Sequence, residues 1–535
     1  MMKTKYITAK RIVVSEKTNN AENLLTNNEL QPRFVWEGFT EIKKSGYVLL
    51  DFGKELRGGV RVTIQAVSQS PAKYRIVFGE SVMEALSHIG YKSASNDHAT
   101  RDMIINAPEM SSECHGSTGF RFVKIEAVDA DLTISTVKAA SEIKDIEYKG
   151  SFECSDELLN RIWQVGAYTV HLNMNEYVWD GIKRDRLVWI GDLNPEIATI
   201  KAVFGYDESV ENSLDIIKRD TPSSKWMNNI PSYSMWWIIN HYDWFMQNGN
   251  IKYLKEQAEY IKELVENGVN WLKSIKPKEF KFDYFIDWSN AENTENSIYG
   301  LFAVFYKAFI CAGKIFKYLD DGVWSNKCFE YAKYLKENTP KNVASKTAAA
   351  LGAYSGIKDA KEINNKILSV SEYSGLSPFL GYYIISARAM AGDMIGSLNV
   401  IRKFWGAILK MGATTFWEDF DLDWLENSAP IDIVTPDGMN DIHGDFGKHC
   451  YTQFRHSLCH GWAGGPTAFL SEWVLGIKII EPGCKKIKIE PNLGDLEYAK
   501  GTYPTPYGNI CIDHLNCKSK IETIVTAPSE IEIVR

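Results

Sequence analysis

"CSDELLNRIWQVGAYTV", Cys154 to Val170, is where the chain changes character. Ser155 stands where a helix N-cap accepts the first free amides, and Asp156 and Glu157 suit the positive end of a helix dipole. Leu158, Leu159, Ile162, Trp163 and Val165 then recur at helical spacing. On the N-terminal side the pattern is short and alternating: "GYVLLDF", "GGVRVTIQAV", "KYRIVFGE", "FRFVKIEAV" and "LTISTVKAA". Such runs, separated by Gly, Ser, Pro and Asn, predict an antiparallel β-sandwich over residues 1–150. On the C-terminal side helical segments follow one another to about residue 476, including Pro195–Gly205, Ser232–Asn248, Ile251–Lys273, Ile298–Leu319, Pro378–Met390 and Ile395–Lys410. Segments such as "SIYGLFAVFYKAFICAGKIF" lack a polar face and should be buried on two sides. About a dozen helices in two layers is what an (α/α)6 barrel requires, and a less regular helical array fits the periodicity equally. From residue 477 the strands return in "IKIIEPG", "KKIKIEP", "GNICIDHL" and "IETIVTA". About sixty residues bury little alone, so this second β-domain should pack on the helices. The expected architecture is therefore multidomain α+β: a helical barrel over 151–476, flanked by β-sandwich domains at 1–150 and 477–535.

The 535 residues correspond to three or four domains at roughly 150 residues each. Composition is that of a globular protein, 45% hydrophobic and 24% charged, with 16 Trp. Aromatics in that number fill cores and also supply flat faces for ring-shaped ligands. A net charge of −8 without a long basic tract argues against a nucleic-acid surface. The first twenty residues hold no apolar run of signal-peptide length, and nowhere do about 18 apolar residues run uninterrupted, so a cytoplasmic location without a membrane span is expected. The nine cysteines form no CxxC pair, the nearest being Cys511/Cys517 and Cys450/Cys459, which predicts free buried thiols.

Three stretches carry chemistry. "DGIKRDRLVWIGD", Asp180 to Asp192, holds three aspartates, two arginines, a lysine and Trp189. Gly181 and Gly191 break regular helix, and Pro195 places the segment on the loop entering the next one. A salt-bridged loop with Asp192 or Asn194 capping that helix is one reading. In the other, Trp189 desolvates a nearby carboxyl while Arg184 holds another ionised, which suits acid/base work on a polar, uncharged substrate. "GATTFWEDFDLDW", Gly412 to Trp424, sets Trp417 before Glu418 and follows it with Asp419, Asp421 and Asp423, as either a solvated acidic loop or part of a site. "SLCHGWAGGPTAFLSEWVLGI" places His460 before Gly461, Trp462 and a Gly464-Gly465-Pro466 turn, where a lone histidine is more often structural than catalytic.

Together these stretches resemble the α-L-rhamnosidases of glycoside hydrolase family 78, whose signature loop reads roughly D-x-P-x-R-[DE]-R-x-x-W-x-G-D. "GATTFWED" is similar to the family's general-base segment and "SLCHGWAGGP" to its histidine segment about forty residues later. "LLDFGKELRGGVRV" and "GFRFVKIEA" are similar to its N-terminal β-domain, and "EPGCKKIKIEPNLGDLEYAKG" to its C-terminal one. The resemblance implies a general acid at Asp185 and a general base at Glu418. It implies hydroxyl contacts from Asp180, Arg184, Asp192 and His460 and aromatic contacts from Trp189 and Trp417. More loosely, it implies pocket positions for Trp236, Trp237, Asp287 and Trp288. The acid position is usually glutamate; aspartate is one methylene shorter, a variation that a subset of the family shares. The chain is short for the family, which favours small rhamnosylated glycosides or oligosaccharides, and analogy with short members implies a homodimer.

Glycoside cleavage passes through an oxocarbenium-like transition state, with one carboxylic acid protonating the leaving oxygen. In inverting enzymes a second carboxylate activates water about 6.5–9.5 Å away on the opposite face. That chemistry needs no metal or other cofactor, and the sequence shows no His/Asp/Glu ligand set. The competing expectations are an (α/α)6-barrel glycosidase of different sugar specificity and a non-catalytic sugar-binding homologue.

Overall fold

The computed structural model describes residues 2–35, 37–275, 284–291, 293–517 and 520–534. The alternating N-terminal segments form strands, but in one continuous seven-stranded sheet instead of the two stacked sheets of a sandwich. Its spine is the 28-residue strand Thr40–Val67, which pairs antiparallel with Arg11–Asn19, Ser111–Ala127 and Leu132–Lys144 along different parts of its length. Register shifts between Asp51 and Leu56 and between Gly58 and Val60 bend the strand, so the sheet curls over its own apolar face. Gly58 makes that bend possible: its φ is +134°, and a Cβ there would meet the Ala140 carbonyl at 2.1 Å. Val48, Leu50, Phe52, Ile76, Phe120 and Ile125 fill the enclosed core.

The helix begun by the opening stretch spans Glu157–Asn173. Asp156, and not Ser155, is its cap: the carboxylate accepts from the amides of Leu158 and Leu159, while Ser155 Oγ accepts from Glu497 N. Leu193–Val203, Pro231–Asn248, Ile251–Ser274, Thr294–Tyr318, Gly381–Met390 and Met394–Lys410 match the helices expected from periodicity to within four residues at each end. Thr294–Tyr318 packs against Pro231–Asn248, Gly322–Asn338 and Lys346–Ser355. It is long and apolar enough to cross a membrane, yet most of it is buried inside the protein, as its missing polar face requires.

The C-terminal strands form a three-stranded sheet of Ile477–Glu481, Lys486–Ile489 and Glu532–Val534, and a four-stranded one. The outer strand of the latter is Ser151–Cys154, paired with Tyr498–Thr505 across about 350 residues of chain. Helices and C-terminal strands share one core that runs from Phe152 to Ile531, whereas the N-terminal sheet has its own. The cysteines are free, as expected, but Cys114 and Cys511 are exposed.

Between Met411 and Gly464 the chain is mostly irregular and folds back over the helix ends. Backbone hydrogen bonds stitch the three chemistry-bearing stretches together there. Gly461 N donates to Asp180 O (2.8 Å), His460 N to Phe416 O (3.0 Å) and Glu418 N to Ser457 O (3.0 Å).

Candidate active site

A cavity of about 230 Å³ opens where these loops meet. Asp180, Arg184, Asp185, Trp189, Asp192, Trp288, Glu418 and His460 line it. Eight residues from stretches up to 280 positions apart thus share one pocket.

Arg184 is its centre. Nη2 donates to both oxygens of Glu418 at 2.5 Å, Nε donates to Arg455 O at 2.9 Å, and Nη1 lies 3.2 Å from Asp185 Oδ2. Glu418 is also fixed through Oε2, which accepts from Ser457 N at 3.0 Å, and its own carbonyl accepts from Trp462 Nε1. The two carboxyl groups differ in exposure: the Glu418 side chain is 3% exposed and that of Asp185 is 32% exposed. Glu418 is therefore deep in the pocket and Asp185 at its mouth. Asp185 and Arg186 have φ values of +56° and +54°, and Arg186 N donates to Arg184 O across Asp185 at 2.7 Å. This tight three-residue turn, unusual for side chains with a Cβ, aims Asp185 into the opening.

The floor is acidic and buried. Asp180 Oδ1 accepts from Leu187 N at 2.9 Å, and Asp192 Oδ1 accepts from Tyr233 Oη at 2.9 Å. Asp192 opens the Leu193–Val203 helix without capping it through its side chain, since the carboxyl is turned to Tyr233. Burial pushes both carboxyls well above the usual range; Asp185 adds to each, Asp192 adds to Asp180, and Glu418 raises Asp192 further. Beneath them Glu196 is likewise raised by burial and then by Asp192, with Oε1 packed against Gly461. Burial also lowers His460 well below its ordinary value, with Arg184 adding, and its Nε2 lies 3.5 Å from Glu418 Oε1 and 3.7 Å from Asp180 Oδ2. Carboxyls shifted toward their protonated form and an imidazole shifted toward its neutral form are hydrogen-bonding groups for uncharged hydroxyls.

This floor has a testable consequence for stability. A carboxyl with a raised folded-state value contributes stability that is present below the ordinary carboxyl range and is lost as pH rises toward the folded value. The slope is about 1.4 kcal/mol per pH unit for each carboxyl still protonated only in the folded chain. Asp180→Asn, which cannot ionise, should therefore melt above the wild type at about pH 8, with a smaller gap at about pH 5.5. Thermal melts at the two pH values check this; a gap that shrinks with rising pH contradicts it.

Not every expected residue reaches the pocket. Trp236 and Trp237 are core residues of Pro231–Asn248: Trp236 stacks on Tyr383, and Trp237 donates Nε1 to Leu214 O. Trp417 is also buried, edge-on to Phe420 at 5.7 Å. Asp287 accepts from Trp288 N and Ser289 Oγ and faces a neighbouring cleft of about 740 Å³. That cleft adjoins the pocket through Trp288, Glu418, Tyr451 and Trp462. Asp419 and Asp421 line the cleft; Asp423 is exposed and follows the solvated-loop reading. Tyr233, Phe285, Cys450, Tyr451 and Arg455 complete the pocket without any sequence signal beforehand. Trp462, two residues after His460, also lines the pocket and is stacked on Phe379 at 4.7 Å.

One ligand-like trio, Glu80, Glu84 and His443, appears among the described residues, assembled from positions more than 350 apart. Lys183 Nζ already lies 3.0 Å from Glu80 and 3.1 Å from Glu84, so it is an ion-paired cluster.

Residues 147–351 match the bacterial alpha-L-rhamnosidase 6 hairpin glycosidase domain, and residues 476–533 match the bacterial alpha-L-rhamnosidase C-terminal domain. The first match contains Asp180 to Asp192; Glu418 and His460 lie between the two. An alpha-L-rhamnosidase of Alteromonas sp. (strain LOR) is 24% identical over 544 residues, covering 92% of this chain and 56% of that protein. The chain spans about half the length of the curated relatives it matches. Among solved structures, the GH78 family rhamnosidase of Bacillus sp. GL1 superposes with a TM-score of 0.76 at 19% identity, over 96% of this chain and 55% of that one. A rhamnosidase from Klebsiella oxytoca, solved with rhamnose bound, gives 0.71 at 17% identity, over 88% of this chain and 96% of that one. Rhamnosidase domain models thus match two parts of the chain, and along nearly its whole length the fold is similar to that of solved family 78 α-L-rhamnosidases.

Proposed function

We propose that the chain is an inverting, exo-acting α-L-rhamnosidase that releases terminal rhamnose from small glycosides or oligosaccharides. The observation that carries this is the Arg184 guanidinium, which touches a deep carboxylate, Glu418, and a carboxyl at the mouth, Asp185. A planar guanidinium reaching both limits their oxygens to within about 8 Å of each other, which admits the spacing that leaves room for an attacking water. Asp185 protonates the leaving oxygen at the mouth, and Glu418 takes a proton from water at the depth. A pocket floored by Asp180, Asp192 and His460 and no larger than 230 Å³ supports exo-action on one terminal deoxysugar. Trp189 gives the C5 methyl an apolar wall. The matched 6 hairpin description and the layered helices support an (α/α)6 barrel for residues 151–476, between the β-domains at 1–150 and 477–535.

Purified protein should turn over p-nitrophenyl α-L-rhamnoside at least about a hundredfold faster than any other p-nitrophenyl glycoside in a panel. Rhamnose binding without turnover would instead favour a sugar-binding homologue, and faster release of another sugar would change the specificity.

A further inference from the structure

The residue just before Arg184 leads away from the pocket. Lys183 is buried, and its ammonium donates to Glu84 Oε1 (3.1 Å), Phe454 O (2.9 Å) and His456 O (2.6 Å), with Glu80 Oε2 at 3.0 Å. Glu80 and Glu84 belong to the N-terminal β-sheet body, in the turn "GESVMEAL" that ends the strand Lys73–Gly79. Ser81 caps the short helix Val82–Leu86 there by accepting from Glu84 N, and Glu84 Oε2 accepts from Glu80 N. These bonds hold both carboxylates rigidly toward Lys183. Glu80 then grips the same chain segment as Lys183: Oε2 accepts from Leu458 N at 2.7 Å, and Oε1 from Ser457 Oγ at 3.3 Å. On its other side, the Ser457 backbone makes two bonds to Glu418: N donates to the side-chain Oε2 and O accepts from the backbone N, both 3.0 Å. His443 adds a ring contact between Ser81 Oγ (2.8 Å) and His456 O (3.0 Å).

Residues 454–458 are thus clamped between a β-domain ion pair and the Glu418 carboxylate. A buried pair of this kind contributes little net stability, because desolvation offsets the attraction. It does define geometry, since each charge must face its partner. We propose that Glu80, Glu84 and Lys183 are positioning residues, through which the N-terminal β-domain sets the register of Ser457 and Arg184 around Glu418. The β-domain then acts as a working part of the hydrolytic site and not solely as an appended module. None of the three lines the pocket.

This rests on the rhamnosidase reading above, and wild-type turnover of p-nitrophenyl α-L-rhamnoside tests that reading first; the variants are interpreted only against an active wild type. With Glu84 also facing Arg101 Nε at 3.5 Å, Glu80→Gln and Lys183→Met each leave one buried charge in excess and should lower the melting temperature. Displacement of the base by part of an ångström should also lower kcat roughly ten- to a hundredfold. KM should stay within about threefold, because the sugar contacts are intact. The double variant Glu80→Gln/Lys183→Met removes one charge of each sign and keeps Glu84 opposite Arg101 Nε (3.5 Å), so its melting temperature should recover while kcat stays low. A purely structural pair predicts that kcat recovers together with melting temperature, and that result, or wild-type kcat in folded single variants, would overturn the proposal. Should the charge variants fail to fold, Ser457→Ala decides: it removes one link of the clamp, kcat should fall by roughly three- to tenfold at unchanged KM, and full activity would overturn the positioning role.

Discussion

Glu418→Gln should lower kcat on α-L-rhamnosides by at least about 10²-fold, the lower range for loss of a general base. Glutamine keeps the size of the side chain and an acceptor for Ser457 N, so the pocket should keep its shape. What it removes is the negative charge and the basic oxygen that would take the proton from water. KM should change little, because that interaction develops only in the transition state. The substitution also leaves the buried Arg184 with Asp185 as its remaining carboxylate contact, so a lower melting temperature is expected alongside. Steady-state kinetics on a folded variant checks the assignment. More than a tenth of wild-type turnover would remove Glu418 from the role.

Asp185→Asn should show an equally large loss, but one that depends on the leaving group. A poor leaving group needs a proton as the bond breaks, whereas a good one departs without it. Turnover of a rhamnosyl disaccharide or flavonoid rhamnoside should fall by at least about 10²-fold, and turnover of 2,4-dinitrophenyl α-L-rhamnoside by far less. Asp180→Asn and Asp192→Asn touch the sugar common to both substrates, so they should slow both by similar factors, partly through KM. The exposure of the three carboxyls already separates them: Asp185 is at the mouth, and Asp180 and Asp192 are buried in the floor. If Asp192→Asn shows the leaving-group dependence and Asp185→Asn does not, the acid is Asp192 and Asp185 only partners Arg184.

Periodicity was enough to place the helices, because apolar residues at helical spacing leave few alternatives over fifteen or more residues. It could not say how the N-terminal strands close. Alternation is the same in a sandwich and in one curled sheet, and the difference lies in the bulges near Asp51 and Gly58. The charged loop Asp180–Asp192 was legible as chemistry because Trp189 within it offers an apolar wall that shifts a nearby carboxyl, which a plain solvated loop does not need. Its division of labour was only half legible. One carboxylate held by Arg184 was expected; Arg184 holds two, Glu418 from 234 residues away by hydrogen bonds and Asp185 by an ion pair at 3.2 Å. Trp236 and Trp237 show the opposite failure. A tryptophan inside an apolar helix looks the same whether it faces a core or a ligand, and here the core took both. Tyr451 and Arg455 sit in an irregular loop without period or motif, so only the folded chain reveals them. The Lys183 clamp is of this kind too, since its carboxylates lie a hundred residues earlier in another body of structure.

Proton NMR of p-nitrophenyl α-L-rhamnoside during the first minutes of hydrolysis tests the whole account at once. Direct attack by a water that Glu418 activates predicts free rhamnose whose first-formed anomer is β, with the α signal growing later by mutarotation. Rhamnose that first appears as the α-anomer would mean a covalent intermediate and a different role for Glu418. No rhamnose at all would contradict the assignment of the pocket as a rhamnosidase site.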